Sequence, residues 1–381
     1  MAHKVILDTD PGTDDVIALL LLLASPEVQL EAITVTFGMC RNTDVDHAYN
    51  NVLKTYEVVR QHCDAHPEDA HRFDHLNARP QTILSKGAAG PIAGEQALAE
   101  YFHGKDGLSN IMETHPEFSF PQPFEHPWLK ETDVAAHDVI LDVLRREPAK
   151  SVTLLAVGPL TNVAKVYAKD PETLARVRRI VIMGGTFDAP GNTTAVAEFN
   201  IYADPFAAHQ LFSGSSTLPL LVVPLDITSQ HTVSFSALIL DDPKTLLQTF
   251  VSAILARPRR VLAALGYSGD VFEMHDPLAA YMVTMHAAQE SDVLLPGFRT
   301  TWRDFVIERA GEHTRGMFVV DKRASIEDAG VSRARDGIVA ERPTGDVNPG
   351  ILRVEVLDQS SGVKKFEQHL LRRIVWWSPS L

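Results

Sequence analysis

Lys4-Val5-Ile6-Leu7-Asp8-Thr9-Asp10-Pro11-Gly12-Thr13-Asp14-Asp15-Val16 opens the chain with a bare apolar run, a tight turn and the start of a helix. Val5, Ile6 and Leu7 are not interleaved with polar residues, the pattern of a strand buried on both faces of a parallel sheet. Similar runs recur at residues 30–36, 152–157, 179–183 and 218–224. Helical patterns lie between them, at 15–23, 46–61, 135–146, 160–169 and 204–212. This alternation predicts an α/β fold built on a doubly wound, mostly parallel open sheet of Rossmann-like construction. Each run ends in polar or glycine residues: Asp8-Thr9-Asp10, Phe37-Gly38, Gly158-Pro159, Gly184-Gly185 and Asp226. Ligands bind beyond the carboxyl ends of strands in such sheets, so all five clusters are expected to line one crevice.

Residues 63–130 break the rhythm with histidines, prolines and phenylalanines, and read as an insertion or lid rather than core. Residues 301–309 and 316–321 alternate like the arms of a hairpin. Residues 342–381 hold one strand pattern (352–357) and one helix pattern (363–373), read as a C-terminal extension of a single domain spanning 1–381. The formal charge of −14, from 35 basic and 49 acidic residues, disfavours phosphate-rich partners, so neither nucleic acid nor an anionic membrane is expected. Cys40 and Cys63 are the only cysteines, too few for a disulfide framework. With no leader pattern and no apolar stretch of about 20 residues, the expectation is a soluble cytoplasmic protein.

Asp8, Asp10, Asp14 and Asp15 crowd four carboxylates into one strand end and one helix start. Asp8 and Asp10 are two apart on a strand and project from one face, while Asp14 and Asp15 sit where a helix N-terminus favours negative charge. Capping accounts for one or two of the four. A hard cation bound by oxygen, calcium or magnesium, accounts for all of them. The Asp8-Thr9-Asp10 spacing also resembles the nucleophile motif of dehalogenase-type magnesium phosphatases.

The whole motif Asp8-Thr9-Asp10-Pro11-Gly12-Thr13-Asp14-Asp15-Val16 resembles the opening of the inosine-uridine preferring nucleoside hydrolase family. The likeness continues in order through 155–162, Met183-Gly184-Gly185, Gly191-Asn192, Ala197-Glu198-Phe199-Asn200, Leu225-Asp226, His275-Asp276-Pro277 and Thr314-Arg315-Gly316-Met317. It implies that Asp10, Asp15, Asp276 and the carbonyl of Val157 hold calcium (Ca2+), with the ribose hydroxyls completing the shell. It further implies that Asp10 takes the proton of the attacking water, that Asp14, Asn192, Glu198 and Asn200 bind ribose, and that Met183 and Phe199 pack on the sugar. The implied substrate is a ribonucleoside, purine or pyrimidine, and the implied assembly a homo-oligomer, dimer or tetramer.

Elementary chemistry is consistent with these roles. Breaking an N-ribosidic bond builds positive charge on the sugar, which a ring of carboxylates and amide oxygens stabilises. A divalent ion lowers the pKa of its water. The leaving base needs a proton donor, and His275, beside the implied ligand Asp276, is the expected one; the alternative is a packed histidine with Asp276-Pro277 as a helix start. Tyr267 is read as stacking on the base or as an ordinary loop aromatic. His103, in His103-Gly104-Lys105-Asp106-Gly107-Leu108, resembles a family element near the base. The family's ribose-contacting Asn follows the glycine after the second strand; here Met39-Cys40-Arg41 intervene, and Asn42 is expected to reach back. The basic run Arg257-Pro258-Arg259-Arg260 reads as a solvated helix face. A catalytically silent nucleoside or calcium binder, and the magnesium phosphatase, are the competing functions.

Overall fold

Val5, Ile6 and Leu7 are wholly shielded from water because their strand has neighbours on both sides and helices on both faces. The computed structural model describes residues 2–38, 44–97, 100–120, 125–267, 269–287, 295–322 and 351–375. Its strands are β1 (His3–Thr9), β2 (Val28–Val35), β3 (Thr82–Lys86), β4 (Leu129–Thr132), β5 (Val152–Ala156), β6 (Arg179–Met183), β7 (Leu220–Val223), β8 (Thr232–Ser234), β9 (Val271–Glu273), β10 (Arg299–Ile307), β11 (Phe318–Val319) and β12 (Leu352–Gln359). Ten form one sheet in the order β11-β10-β12-β7-β6-β5-β1-β2-β3-β4, and β8 pairs with β9 separately. From β12 to β4 every pairing is parallel; β10 runs antiparallel to both its neighbours.

The main helices are α1 (Thr13–Leu23), α2 (Asp44–Ala65), α3 (Ala136–Arg146), α4 (Thr161–Lys169), α5 (Phe199–Ala203), α6 (Pro205–Phe212), α7 (Leu246–Ala264), α8 (His275–Ala287) and α9 (Val363–Ile374). Successive strand residues point to opposite layers. Val5, Leu7, Leu155 and Val181 join the core under α1, α2, α7, α8 and α9. Ile6, Leu154, Ile180 and Ile182 join the one under α3, α4 and α6. Every residue of α1 is buried, which accounts for its run of five leucines. No described helix is long and apolar enough to cross a membrane.

The chain leaves β1 towards β2, β3 and β4, then returns to β5 on the opposite side of β1. The order therefore reverses between β1 and β5, where their ends, Asp8 and Ala156, lie side by side. A crevice opens beyond this switch point because the two outgoing connections diverge.

Two segments that the sequence set apart contribute strands to the main sheet. Residues 63–130 are not merely a lid: they contain β3, carry the chain to β4, and bury Phe73, Phe118 and Trp128 in the core. Those strands are short and partly exposed at the sheet margin, so they leave little periodic signal. The C-terminal strand is not an added layer either. β12 slots between β7 and β10, parallel to one and antiparallel to the other. The expected hairpin is present, with Val306 opposite Val319 and Ile307 opposite Phe318.

Candidate active site

β1 delivers Asp10 and α1 delivers Asp14 and Asp15 to the switch point. Asp15, on the first turn of α1, accepts the Gly12 N–H at 3.1 Å, the Thr9 hydroxyl at 2.5 Å and the Asp10 N–H at 3.3 Å. The bond to Gly12 satisfies a donor that the helix start leaves open. Helix α8 packs along α1 and brings Asp276 to the same place, so that one oxygen each of Asp14, Asp15 and Asp276 lie within 4.8 Å of one another. Asp10 Oδ2 is buried with no hydrogen-bond partner among the described residues.

Asp10 is held in a narrow slot. A Cβ on Gly158 would stand 2.6 Å from Asp10 Oδ1, and one on Gly38 only 2.0 Å from Oδ2. Both glycines end strands flanking β1, so the backbone itself approaches the carboxylate. On the neighbouring strand the Val157 N–H donates to the Asp8 carbonyl at 2.8 Å, and its own carbonyl accepts Asn200 Nδ2 at 2.7 Å. That oxygen keeps a second lone pair.

Crowding these carboxylates carries an electrostatic cost. Burial, then the negative charges of Asp15 and Asp14, raises the Asp10 pKa well above the ordinary carboxylate range. Burial followed by Asp14, Asp15 and Asp10 does the same to Asp276, and burial with Asp14 raises Asp15. A bound cation removes the penalty. The donors are oxygen alone, one of them without a partner, and they fit a hard divalent ion.

The ribose-side candidates converge from β6 and α5. Glu198 precedes α5 and accepts the backbone N–H groups of Gly185, Asn200 and Ile201 at 2.9, 2.7 and 3.1 Å. Burial nevertheless leaves its pKa raised. Asn200 Nδ2 also reaches the carbonyl and sulfur of Met183, at 3.3 and 3.6 Å. Asn192 Oδ1 accepts the Phe199 N–H at 2.9 Å, which leaves the Asn192 amide nitrogen available. Asn42 lies outside the described residues.

Two histidines flank the cluster. His275 Nδ1 pairs with the Thr228 hydroxyl at 2.8 Å and Nε2 faces Glu273 at 3.3 Å. Burial alone would lower its pKa; the bond to Glu273, with the charges of Asp14 and Glu198, outweighs burial and raises it. His103 is buried beside α1 and accepts the Thr13 N–H on Nδ1 at 3.3 Å. Burial lowers its pKa to about 4, against the pull of Asp14, so it is neutral. Tyr267 is placed differently: 65% exposed just past α7, its ring makes no ring contact or hydrogen bond among the described residues.

Other residues do work that sequence reasoning did not assign. Asp8 Oδ1 accepts the Thr34 hydroxyl at 2.5 Å and Asn162 Nδ2 at 2.8 Å, and burial raises its pKa to about 7. Asn162 also accepts the Ala88 N–H at 2.8 Å, tying together the ends of β1 and β3. Asp226 gathers the N–H groups of Phe187, Asp188 and Ala189 at 2.8, 2.7 and 3.1 Å and so shapes the loop after β6. All three lie in motifs quoted from the sequence, Asp8 among the carboxylates there ascribed to a cation, but their partners were not legible in it.

Fold and site together define a doubly wound α/β protein with a cation-fitting carboxylate crevice at its switch point. The family model described as inosine-uridine preferring nucleoside hydrolase matches residues 5–342, and the chain belongs to that family. A pyrimidine-specific ribonucleoside hydrolase, RihA of Salmonella arizonae, is 33% identical over 327 residues, covering 84% of this chain and 89% of that protein. An uncharacterized protein of Schizosaccharomyces pombe is 32% identical over 322 residues, with the same shares. A solved plant nucleoside hydrolase superposes over 98% of this chain and 99% of its own, with a TM-score of 0.72 and 26% identity.

Proposed function

We propose that this protein hydrolyses the N-glycosidic bond of ribonucleosides, releasing free base and ribose, at a calcium site formed by Asp10, Asp15, Asp276 and the Val157 carbonyl. The observation that carries the reading is the meeting of Asp276, late in the chain, with Asp14 and Asp15 at the first turn, beside a buried and unpartnered Asp10 oxygen. Bound there, calcium supplies the positive charge that acidifies a water and orders vicinal hydroxyls.

The chain's own residues do the rest. Asp10, beside the cation and with Oδ2 buried and unpartnered among the described residues, takes the proton of the attacking water. Glu198, pinned by three N–H groups, and Asn200 present oxygens toward a ring that becomes positive as the bond breaks. Asp14 and Asn192 hold ribose hydroxyls, and Met183 and Phe199 pack against the sugar. His275, whose pKa Glu273 helps to raise, donates a proton to the departing base. Water and base lie on opposite faces of the sugar, so the anomeric centre inverts.

Incubation of the purified protein with inosine, uridine and a nucleotide, with and without chelator, tests this. Free base and inverted ribose, lost on chelation and restored by calcium, are the expected products. Release of phosphate, or binding without any turnover, overturns the reading.

A further inference from the structure

The sequence places Pro258 four residues after Ile254, inside α7. Proline has no N–H, so the Ile254 carbonyl loses its helical donor. That freed oxygen is not left bare. It accepts the Ser109 hydroxyl and lies 3.4 Å from the Thr13 hydroxyl. Ser109 Oγ in turn accepts the Arg257 N–H at 3.2 Å, so this one side chain is spliced into the broken turn of the helix.

Thr13 and Ser109 belong to the two loops that matter here. Thr13 stands between Gly12 and the acidic pair, and its N–H donates to His103 Nδ1. Ser109 ends the loop that begins at His103, and its N–H returns to the His103 carbonyl at 2.7 Å. The loop is strained at this end: Ser109 and Asn110 both have left-handed backbones, at φ 65° and 58°. Consecutive non-glycine residues of this kind need outside bonds to hold them. Asp106 supplies some, accepting the N–H groups of Leu108 and Asn110 at 2.8 Å each. Asn51 Nδ2 bridges the Pro11 and Asp106 carbonyls at 2.9 and 2.8 Å and ties the same two loops from the other side.

We infer that Ser109 and Pro258 are positioning residues: through the Ile254 carbonyl they lock the His103 loop against the first turn of α1 and so fix how the His103 ring faces the crevice. Because Nδ1 is taken by an N–H donor, the neutral ring carries its proton on Nε2, which is therefore the ring's donor. The role inferred for that donor is recognition of the nucleobase, and to that extent the inference rests on the function proposed above.

Ser109→Ala, Ser109→Thr and Pro258→Ala, compared on a ribonucleoside and on p-nitrophenyl riboside, test it. Ser109→Ala is expected to lower kcat/KM on the nucleoside about tenfold more than on the riboside, the scale of one lost hydrogen bond, chiefly through KM. Ser109→Thr retains the hydroxyl and restores the wild-type ratio. Pro258→Ala returns an N–H to Ile254, so it is expected to raise the melting temperature while shifting the ratio in the same direction as Ser109→Ala. In a His103→Ala background Ser109→Ala should change nothing further. Equal loss on both substrates, or additive losses with His103→Ala, would overturn the positioning role even though base is released. A wild-type protein that releases no base from any nucleoside overturns the function itself.

Discussion

Asp15 and Asp276 face one another across the meeting point of α1 and α8, and with Asp14 they set three carboxylate oxygens within 4.8 Å. Neither helix could present such a cluster alone. Removing the far partner should therefore disable the site while leaving the acidic turn intact. Asp276→Ala is expected to lower kcat/KM by about a thousandfold or more and to abolish calcium binding measured by calorimetry. Unchanged calcium affinity in that variant would exclude Asp276 as a ligand.

Proton and cation compete for the same oxygens. The raised pKa values of Asp10, Asp15 and Asp276, caused first by burial, mean that the metal-free folded protein keeps protons that the unfolded chain releases. The stability they contribute is full below the ordinary carboxylate range and is lost as pH rises through the raised values. Calcium should replace those protons, so its stabilising effect should be larger at about pH 8 than at about pH 5.5. Melting curves with and without calcium measure this; a shift independent of pH would contradict it.

Gly158 leaves space for the Asp10 carboxylate and nothing more. A methyl group there would meet Asp10 Oδ1 at 2.6 Å and the Thr36 methyl at 2.9 Å. Gly158→Ala should cost about 1–3 kcal/mol of stability by overpacking. By displacing the carboxylate proposed as general base it should also lower kcat about a hundredfold, with a smaller change in KM. Steady-state kinetics beside a denaturant titration would show whether the two effects separate.

Glu273 holds the His275 pKa above its ordinary value against burial, and Thr228 orients the ring. Its removal should matter in proportion to how poorly the base leaves. His275→Ala is expected to slow inosine hydrolysis by about a hundredfold or more, and p-nitrophenyl riboside hydrolysis far less. Equal losses on the two substrates would point to a binding role and not to proton donation.

Much of this was legible in local residues. The runs that became β1, β2, β5, β6 and β7 announced themselves by apolar residues in succession, such as Val5-Ile6-Leu7 and Ile180-Val181-Ile182-Met183, because a strand covered on both faces needs apolar side chains on each. The acidic turn declared itself because four carboxylates in so short a stretch need a counter-charge. β3, β4 and the central place of β12 were not legible. The first two are short strands towards the sheet margin, and the pairing partners of β12 are set by distant packing.

The boundary between the two kinds of knowledge runs through the site. Residue type and spacing were enough to mark the acidic turn as a cation site, since carboxylate chemistry is a property of the side chain; it was the family resemblance that added Asp276 to Asp10 and Asp15. Distance, burial and hydrogen-bond partner belong to pairs of residues far apart in the chain. Folding therefore decided that Asp8 is taken up by Thr34 and Asn162, that Tyr267 stands in solvent, and that the proline in α7 hands a free carbonyl to Ser109.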